Sequence, residues 1–317
     1  MNHYWQPLGR CLADIPRQGD WMVTHACVPT AIYLPASDRI RVYFAPRNTR
    51  GQSIPTYLEV AAARPTERLY LHDRPVLELG ELGTFDDGGI MPCSLTIGPQ
   101  GEWLLYYVGW NPSVSVGYRN AVGLAVSRDE GKTFERAFPG AVVDRTRFEP
   151  FFTASPGVIR FSEGDYRMYY ASSTGFVRID GRVEPLYEIK LALSEDGYTW
   201  QRPNRTCIPP SDPLECTARP TIVRDADRLR MWYCYRGSHD YRGGAGSYRI
   251  GYAESTDGLD WKRLDNNAAA APARDDWDRN MQTYPSVVET PHGRYLFYNG
   301  NGFGATGIGV ARWTEHD

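Results

Sequence analysis

The stretch from Ala218 to Leu264 reads ARPTIVRDADRLRMWYCYRGSHDYRGGAGSYRIGYAESTDGLDWKRL and contains four short runs of alternating apolar and polar residues. A proline opens the first run, the polar turn RDAD leads to the second, and a glycine-rich loop leads to the third. A tight TDG turn then precedes a short fourth run. Alternation with a period of two between turn residues predicts four antiparallel strands joined as a meander.

The same unit occurs five times along the chain. The prolines that open the five copies lie 63, 64, 64 and 65 residues apart, and an aromatic-rich second run and an apolar third run follow each in phase. A repeat of this length with four strands per unit predicts an all-β, five-bladed β-propeller, a single domain over residues 1–317. The five prolines are Pro29, Pro92, Pro156, Pro220 and Pro285.

The fifth copy ends after its third run, at Trp313, and has no fourth run of its own. The N-terminal segment from Tyr4 to Leu12 is therefore predicted to supply the missing strand. Closure of this kind removes open sheet edges that would otherwise pair with other chains.

The turn between the third and fourth runs has a signature in three copies: SRDEGKTF, SEDGYTW and STDGLDW. Asp and Gly suit the positive-φ positions of a tight turn, and the aromatic residue that follows can pack between blades. We therefore predict that Asp129, Asp196 and Asp257 are structural rather than catalytic.

Charge and composition exclude several classes of protein. The formal net charge is −3 and no cluster of Lys or Arg stands out, which argues against nucleic acid and anionic membranes as partners. No signal-peptide pattern and no run of about 18 apolar residues occurs, so we expect a cytoplasmic protein without membrane insertion. The six cysteines show no CxxC spacing and are predicted to be buried free thiols, not a disulfide framework or a zinc site.

Candidate catalytic residues follow from the repeat frame. The positions five residues before the inner-strand prolines carry a carboxylate in blades two and four, Asp87 and Glu215. Equivalent positions of a propeller point toward one end of the axial channel, so these two side chains are predicted to face a common pocket. The same position holds Thr24, Phe151 and Asn280 in the other blades.

Two facing carboxylates suit glycoside chemistry, which needs a protonated acid for the leaving oxygen and a base or nucleophile. Glu215 is predicted to be the acid, because Cys216 and the apolar strand after it should desolvate the carboxyl group. Asp87, in a glycine-rich turn, is then the base. Other residues at inner-strand starts, at second-strand ends or in a neighbouring loop are predicted to bind substrate: His25, Glu149, Arg219, Arg236, His239, Tyr284 and Asn299.

The five-fold period, the STDGLDW and SEDGYTW signatures and the segment YPSVVETPHGRYLFYNGNGFG carry a resemblance to a known group. Over essentially the whole chain the sequence resembles the five-bladed propeller glycosidase superfamily, which includes arabinanases and xylosidases, invertases and mannoside phosphorylases. It is also similar to glycosidase-like proteins often encoded among bacterial surface-polysaccharide genes. The resemblance implies a carbohydrate or an activated sugar as the ligand.

The resemblance also implies a set of catalytic residues, from which this chain departs. In that group an Asp stands directly before the first-blade proline, whereas here the residues are Cys27-Val28-Pro29. Glu215-Cys216 is similar to the Glu-Cys pair that holds the acid of invertases, and Asp87 matches the second Asp only loosely. Without the first-blade Asp, either another carboxylate such as Asp87 or Asp278 serves as base, or the chemistry has changed.

Three functions stay open from the sequence. The first is a carbohydrate-active enzyme, a glycoside hydrolase or a sugar transferase acting at the axial pocket. The second is a non-catalytic carbohydrate-binding or assembly propeller that kept the pocket and lost the base. The third is a metal-dependent hydrolase using His25, Glu215 and His239, although their spacing matches no metal motif. No cofactor is predicted apart from this axial metal ion.

Overall fold

The computed structural model describes residues 3–267 and 276–315, and it contains five four-stranded antiparallel sheets. The predicted five-bladed propeller is confirmed. The first strands are β1 (His3–Leu12), β2 (Thr24–Leu34), β3 (Arg39–Arg47), β4 (Thr56–Ala61), β5 (Arg64–Leu71), β6 (Gly89–Ile97), β7 (Trp103–Pro112), β8 (Tyr118–Ser127), β9 (Glu135–Arg136) and β10 (Thr153–Ser162). The others are β11 (Asp165–Ile179), β12 (Arg182–Ser194), β13 (Thr206–Ile208), β14 (Cys216–Arg224), β15 (Leu229–Arg236), β16 (Arg249–Ser255), β17 (Lys262–Arg263), β18 (Thr283–Thr290), β19 (Gly293–Asn299) and β20 (Ile308–Glu315).

Four blades are consecutive meanders, and the fifth is closed by the start of the chain. The sheet orders are β2-β3-β4-β5, β6-β7-β8-β9, β10-β11-β12-β13 and β14-β15-β16-β17, whereas the last sheet has the order β1-β20-β19-β18. Strand β1 pairs antiparallel with β20, so that Trp5 lies opposite Trp313. The prediction that Tyr4 to Leu12 completes the blade of Pro285 is therefore confirmed.

The signature turns hold neighbouring blades together. In each turn a Ser hydroxyl accepts the backbone N–H of the turn glycine at 2.8 Å, and the Asp carboxylate accepts two backbone N–H groups further along. The carbonyl of the same glycine accepts the hydroxyl of a tyrosine from the preceding blade. We call these contacts the outer clasps: Tyr43 to Gly131 (2.7 Å), Tyr106 to Gly197 (2.7 Å) and Tyr169 to Gly258 (2.8 Å).

A tryptophan cluster takes the place of the clasp between blades four and five. Blade five has no turn between a third and a fourth strand, because its fourth strand is β1. At the clasp position of blade four stands Trp232, whose ring lies 5.3 Å from that of Trp5 and 5.3 Å from that of Trp313. Aromatic packing thus holds blade four against blade five, which contains the closing strand β1.

The start of each inner strand is bulged at its proline. The ladder register shifts there in all five blades, as is typical for proline inside a sheet. In four blades the residue before the proline has a positive φ, an uncommon conformation for a residue with a side chain. These residues are Val28 (56°), Ser155 (48°), Arg219 (54°) and Tyr284 (56°). Strained backbone of this kind is typical of functional sites.

All six cysteines are buried and free, as the sequence predicts. Burial raises the pKa of the Cys11 thiol to about 12 and that of Cys27 to about 11. Within the described ranges, no helix is long and apolar enough to cross a membrane.

Candidate functional site

A pocket of about 380 Å³ lies on the propeller axis, where the inner strands begin and the second strands end. We call it the axial pocket. Each of the five blades contributes at least one inner-strand residue to its lining, so its shape depends on the whole ring. These residues are Val28, Met91 with Cys93, Ala154 with Ser155, Ala218, and Tyr284.

Eight aromatic residues line the axial pocket. The Trp110 indole N–H donates a hydrogen bond of 2.8 Å to the Ser53 hydroxyl, which fixes the orientation of the ring. Among the described residues that line the pocket, the charged ones are Arg47 and Arg242, and none is Asp or Glu. The eight aromatic residues are Trp110, Tyr118, Phe152, Tyr187, Tyr241, Tyr248, Tyr284 and Phe303.

Arg236 supports this wall from behind. Its side chain is 1% exposed, and its guanidinium carbon lies 4.0 Å from the centre of the Tyr241 ring. Nε donates to the Tyr187 hydroxyl at 2.9 Å, and Nη2 donates to the carbonyl of Pro185 at 2.8 Å. Neutral acceptors therefore hold this guanidinium, and it in turn orders the tyrosines that face the pocket.

Arg219 lies across the axis. Its side chain is 1% exposed, and Nη2 donates to the carbonyl of Pro29 at 2.8 Å and to the hydroxyl of Thr30 at 3.0 Å, both in blade one. Cys93 and Tyr284, which line the pocket, lie near it, and burial lowers the pKa of Arg219. A guanidinium group is therefore held behind the lining of the axial pocket, directly after the lining residue Ala218.

Each of the two lining arginines has a titratable neighbour. Arg242 pairs with Glu184, a buried carboxylate that also accepts the Tyr241 hydroxyl at 2.8 Å. His25 is half-buried near Arg47, and burial together with the Arg47 charge lowers the pKa of His25 to about 4. At neutral pH the His25 ring is therefore uncharged.

The two predicted catalytic carboxylates are not among the residues that line the axial pocket. Asp87 is half-buried in the loop before β6, and its Oδ2 accepts the backbone N–H of Gly83 at 2.8 Å. Glu215 forms an ion pair with Arg263 at 2.7 Å and accepts the backbone N–H of Ser211 at 2.6 Å. Both residues precede the first residue of their inner strand, whereas the lining residues of the inner strands lie within those strands.

The other predicted binding residues have mixed positions. Tyr284 lines the pocket, Arg219 and Arg236 lie behind its lining, and His239 is exposed in the loop after β15. Glu149 is buried, accepts the Ser172 hydroxyl at 2.7 Å and pairs with Arg202. Asn299 is buried and bonds to the backbone of Val28, Ala26 and Gly307, so it joins blade five to blade one.

Sequence reasoning missed several pocket residues. Four of them lie at the ends of second strands or in segments that lead into or form third strands: Arg47, Trp110, Tyr187 and Tyr248. These segments have different lengths in each copy of the repeat. Comparing those segments between copies would have identified these residues as neighbours on the axis. The partner of Glu215, Arg263, lies 48 residues away and no local pattern indicates it.

The side chains present decide whether a metal could be held. Across residues 3–267 and 276–315, no group of three or more His, Cys, Asp and Glu residues is arranged to hold a metal ion. Asp278, the alternative base, is buried, and its Oδ2 accepts the Tyr298 hydroxyl at 2.8 Å and the Gln282 amide at 3.1 Å. The described residues thus give the metal-dependent alternative no support.

Comparison with known proteins places the chain among relatives of the same length. Two uncharacterized proteins of Mycobacterium tuberculosis, MT1551 and Rv1502, are each 36% identical to it over 310 residues, covering 97% of this chain and 98% of the relative. No protein-family model matches the chain.

Solved structures with the same fold are glycosidase-like propellers. One is a complex of BT0996 and RGII (TM-score 0.73, 17% identity, 98% of this chain and 92% of the other). Another belongs to a description of the GH130 family of mannoside phosphorylases, said to contain glycoside hydrolases that target beta-1,2 mannosidic linkages in Candida mannan (0.73, 16%, 98% and 94%). A third is a putative glycoside hydrolase from Bacteroides ovatus (0.73, 18%, 97% and 95%). At these identities the similarity confirms the predicted resemblance at the level of the fold.

Proposed function

This chain belongs to the same family as the uncharacterized Mycobacterium tuberculosis proteins MT1551 and Rv1502, and we propose that it is a carbohydrate-binding propeller whose saccharide lies in the axial pocket. The glycosidase-like fold makes a carbohydrate the natural class of ligand to test. Fold alone is no warrant for activity, and the support for this ligand comes from the pocket itself.

The aromatic wall is the observation that carries the proposal. The volume of about 380 Å³ lies within the range of small-ligand sites. Tyrosine and tryptophan rings stack on the apolar faces of sugars, while Ser53, Asn120 and the two arginines of the lining can donate hydrogen bonds to hydroxyls. Residues from all five blades thus provide both kinds of contact that a saccharide needs.

Binding has more support than hydrolysis because of where the carboxylates lie. Glycosidases need two carboxyl groups across one bond, about 5–9.5 Å apart. The described lining holds none, and both oxygens of Glu215 accept hydrogen bonds from Arg263. Of the two predicted catalytic carboxylates, Asp87 keeps more support for its role, that of the base. The backbone N–H of its neighbour Gly88 donates a hydrogen bond to the carbonyl of Trp110 in the pocket wall. Hydrolysis by Asp87 and Glu215 stays a prediction.

Saccharide binding can be tested directly by titration calorimetry with neutral and acidic mono- and disaccharides. Trp110→Ala should weaken binding about three- to tenfold, because it removes a stacking surface. The matched control is Phe138→Ala, which removes an exposed aromatic residue that is not part of the pocket lining. Equal affinities for wild type and Trp110→Ala, or no binding of any saccharide, would contradict the proposal.

The second candidate function has its own test. Wild type and Glu215→Gln are compared on nitrophenyl glycosides and nucleotide sugars. A general acid at Glu215 requires turnover by wild type and a loss of ~10²-fold or more in the variant, with substrate binding retained. Absence of turnover in wild type, or unchanged turnover in the variant, removes Glu215 as the acid and leaves the binding function.

A further inference from the structure

Arg219 is the buried charge that the proposed function does not yet explain. It stands at the bulge of β14 directly before Pro220, with a positive φ of 54°. Its side chain is 1% exposed. A buried charge is normally paired, since moving an ion out of water costs several kcal/mol by order of magnitude.

The guanidinium is incompletely bonded. A guanidinium has five N–H donors, and here the described contacts use only Nη2. Nε is buried and has no hydrogen-bond partner among the described residues. Within the described chain Arg219 forms no ion pair, whereas Arg263 in the same blade pairs with two carboxylates. Unsatisfied buried donors are rare and require an explanation.

The neighbours of Arg219 place it at the pocket. Three lining residues are neighbours of Arg219: Ala218 directly precedes it in the chain, and Cys93 and Tyr284 lie near it. Its acceptor Pro29 follows Val28, another lining residue. The guanidinium therefore lies behind the inner end of the pocket, with a donor that the described residues do not use.

The charged residues of the described lining are all arginines. Arg47 and Arg242 line the pocket, and Arg219 and Arg236 lie behind the lining. Within the described residues, Glu184 is the one carboxylate that pairs with any of the four. The whole chain has a net charge of −3, so this concentration of positive charge is local. A concave site with low-dielectric walls focuses such a field on an anionic ligand.

We propose that the ligand of the axial pocket carries an oxyanion, a carboxylate or a phosphate group, which pairs with the Arg219 guanidinium at the inner end of the pocket. The planar fork of arginine matches both groups. This inference rests on the proposed function, because a saccharide is taken to carry the oxyanion. The two bonds to blade one do not need a charge, since any neutral donor could make them.

The first experiment uses wild-type protein and pairs of ligands that differ in charge. Glucuronate, galacturonate, glucose 1-phosphate and mannose 1-phosphate are each compared with their neutral parent sugar, with inorganic phosphate alongside. We expect at least one anionic ligand to bind about tenfold or more tightly than its parent, with the advantage decreasing as salt rises. Preference among the uronates or among the phosphates identifies the source of the oxyanion. Equal affinity within every pair overturns the inference.

The second experiment assigns the effect to Arg219. Arg219→Met should abolish the preference for the anionic ligand over its neutral parent, while Arg219→Lys should keep part of the preference. The matched control is Arg224→Met, at the far end of the same strand, which should retain the full preference. A preference that survives in Arg219→Met overturns the assignment.

The outcomes separate this inference from the proposed function. Saccharide binding that depends on Trp110 but is indifferent to charge supports the proposed function and overturns the oxyanion. Binding of inorganic phosphate that depends on Arg219, without binding of any saccharide, supports the oxyanion site and overturns the carbohydrate ligand.

Discussion

The outer clasps and the inner ends of the blades come from the same repeat, yet they differ in how strictly it is followed. The clasps use Ser, Asp, Gly and Tyr in the same roles three times, and their hydrogen bonds agree within a few tenths of an ångström. At the inner ends, the position before the proline holds a different residue in each blade: Val28, Met91, Ser155, Arg219 and Tyr284. Repetition thus marks what holds the ring together, and divergence marks where a ligand is expected.

Electrostatics shows the same contrast. Burial alone would raise the pKa of Asp129, but hydrogen bonds from Ser127 and from the turn backbone outweigh it and lower that pKa to about 2. The Asp129 charge therefore has its partners within the clasp. Arg219, by contrast, has a pKa lowered by burial and pairs with no carboxylate of the described residues. The clasp is complete in itself, whereas Arg219 keeps a donor that the described residues do not use.

The largest effect should come from breaking the ring. Removing residues 1–12 deletes β1 and exposes the edge of β20, which would then be free to pair with other chains. We expect an aggregating or unfolded product, measured by size-exclusion chromatography and circular dichroism. A monomeric, folded product would show that Trp5 and the β1 ladder are dispensable.

A clasp variant should lower stability and leave binding unchanged. Asp196→Ala removes the acceptor of the Tyr198 and Thr199 backbone N–H groups, so we expect a loss of about 1–2 kcal/mol in unfolding free energy. Urea denaturation measures it, with Asp14→Ala as the control. A change in saccharide affinity larger than the change seen in Asp14→Ala would contradict the separation of the two regions.

The tyrosine side of the clasp should have a smaller effect. Tyr106→Phe removes one hydroxyl and leaves the carbonyl of Gly197 without its donor, which should cost about 1 kcal/mol. Tyr43→Phe and Tyr169→Phe make the equivalent change in the other two clasps. Similar losses in all three would confirm that the clasps are equivalent, and a spread of more than about 1 kcal/mol would refute it.

Arg219→Met should change stability by less than about 1 kcal/mol, because the loss of two hydrogen bonds is offset by removing an unpaired buried charge. Arg263→Met is the comparison, since it leaves Glu215 buried without its cation and should be clearly destabilising. Unfolding free energies of both variants decide the matter. Equal losses would mean that Arg219 is a structural ion like Arg263.

The smallest predicted effect is a pH dependence of stability that differs between His25, in blade one, and Asp129, in an outer clasp. The pKa of His25 is lowered from 6.5 to about 4, so between these values the unfolded chain binds more protons and stability falls as pH falls. The pKa of Asp129 is lowered from 3.8 to about 2, so its contribution is lost only below pH 3.8. His25→Ala should flatten the decline between pH 6.5 and 4 in thermal melts. An unchanged slope would refute this assignment.

The sequence predicted the ring well because its evidence is local and repeated. The prolines, the Ser-Asp-Gly turns and the missing fourth run of blade five can each be recognised in a short segment of the sequence. The missing run in turn predicted the pairing of Tyr4 to Leu12. The candidate site depends on contacts between distant segments, such as Glu215 with Arg263 and Arg219 with Pro29. The bulge before each proline also turns the strand, so that counting residues along it no longer indicates which side chain reaches the axis.

Closure of the ring by β1 has a consequence for biosynthesis. Almost the entire chain must leave the ribosome before β20 becomes available to pair with β1. During this time the first strand has no partner and blade five cannot form. Pairing across such a sequence separation is slow, because the closing loop carries a large entropic cost. The nascent chain thus carries an unpaired strand until translation is almost complete, and unpaired strand edges promote aggregation.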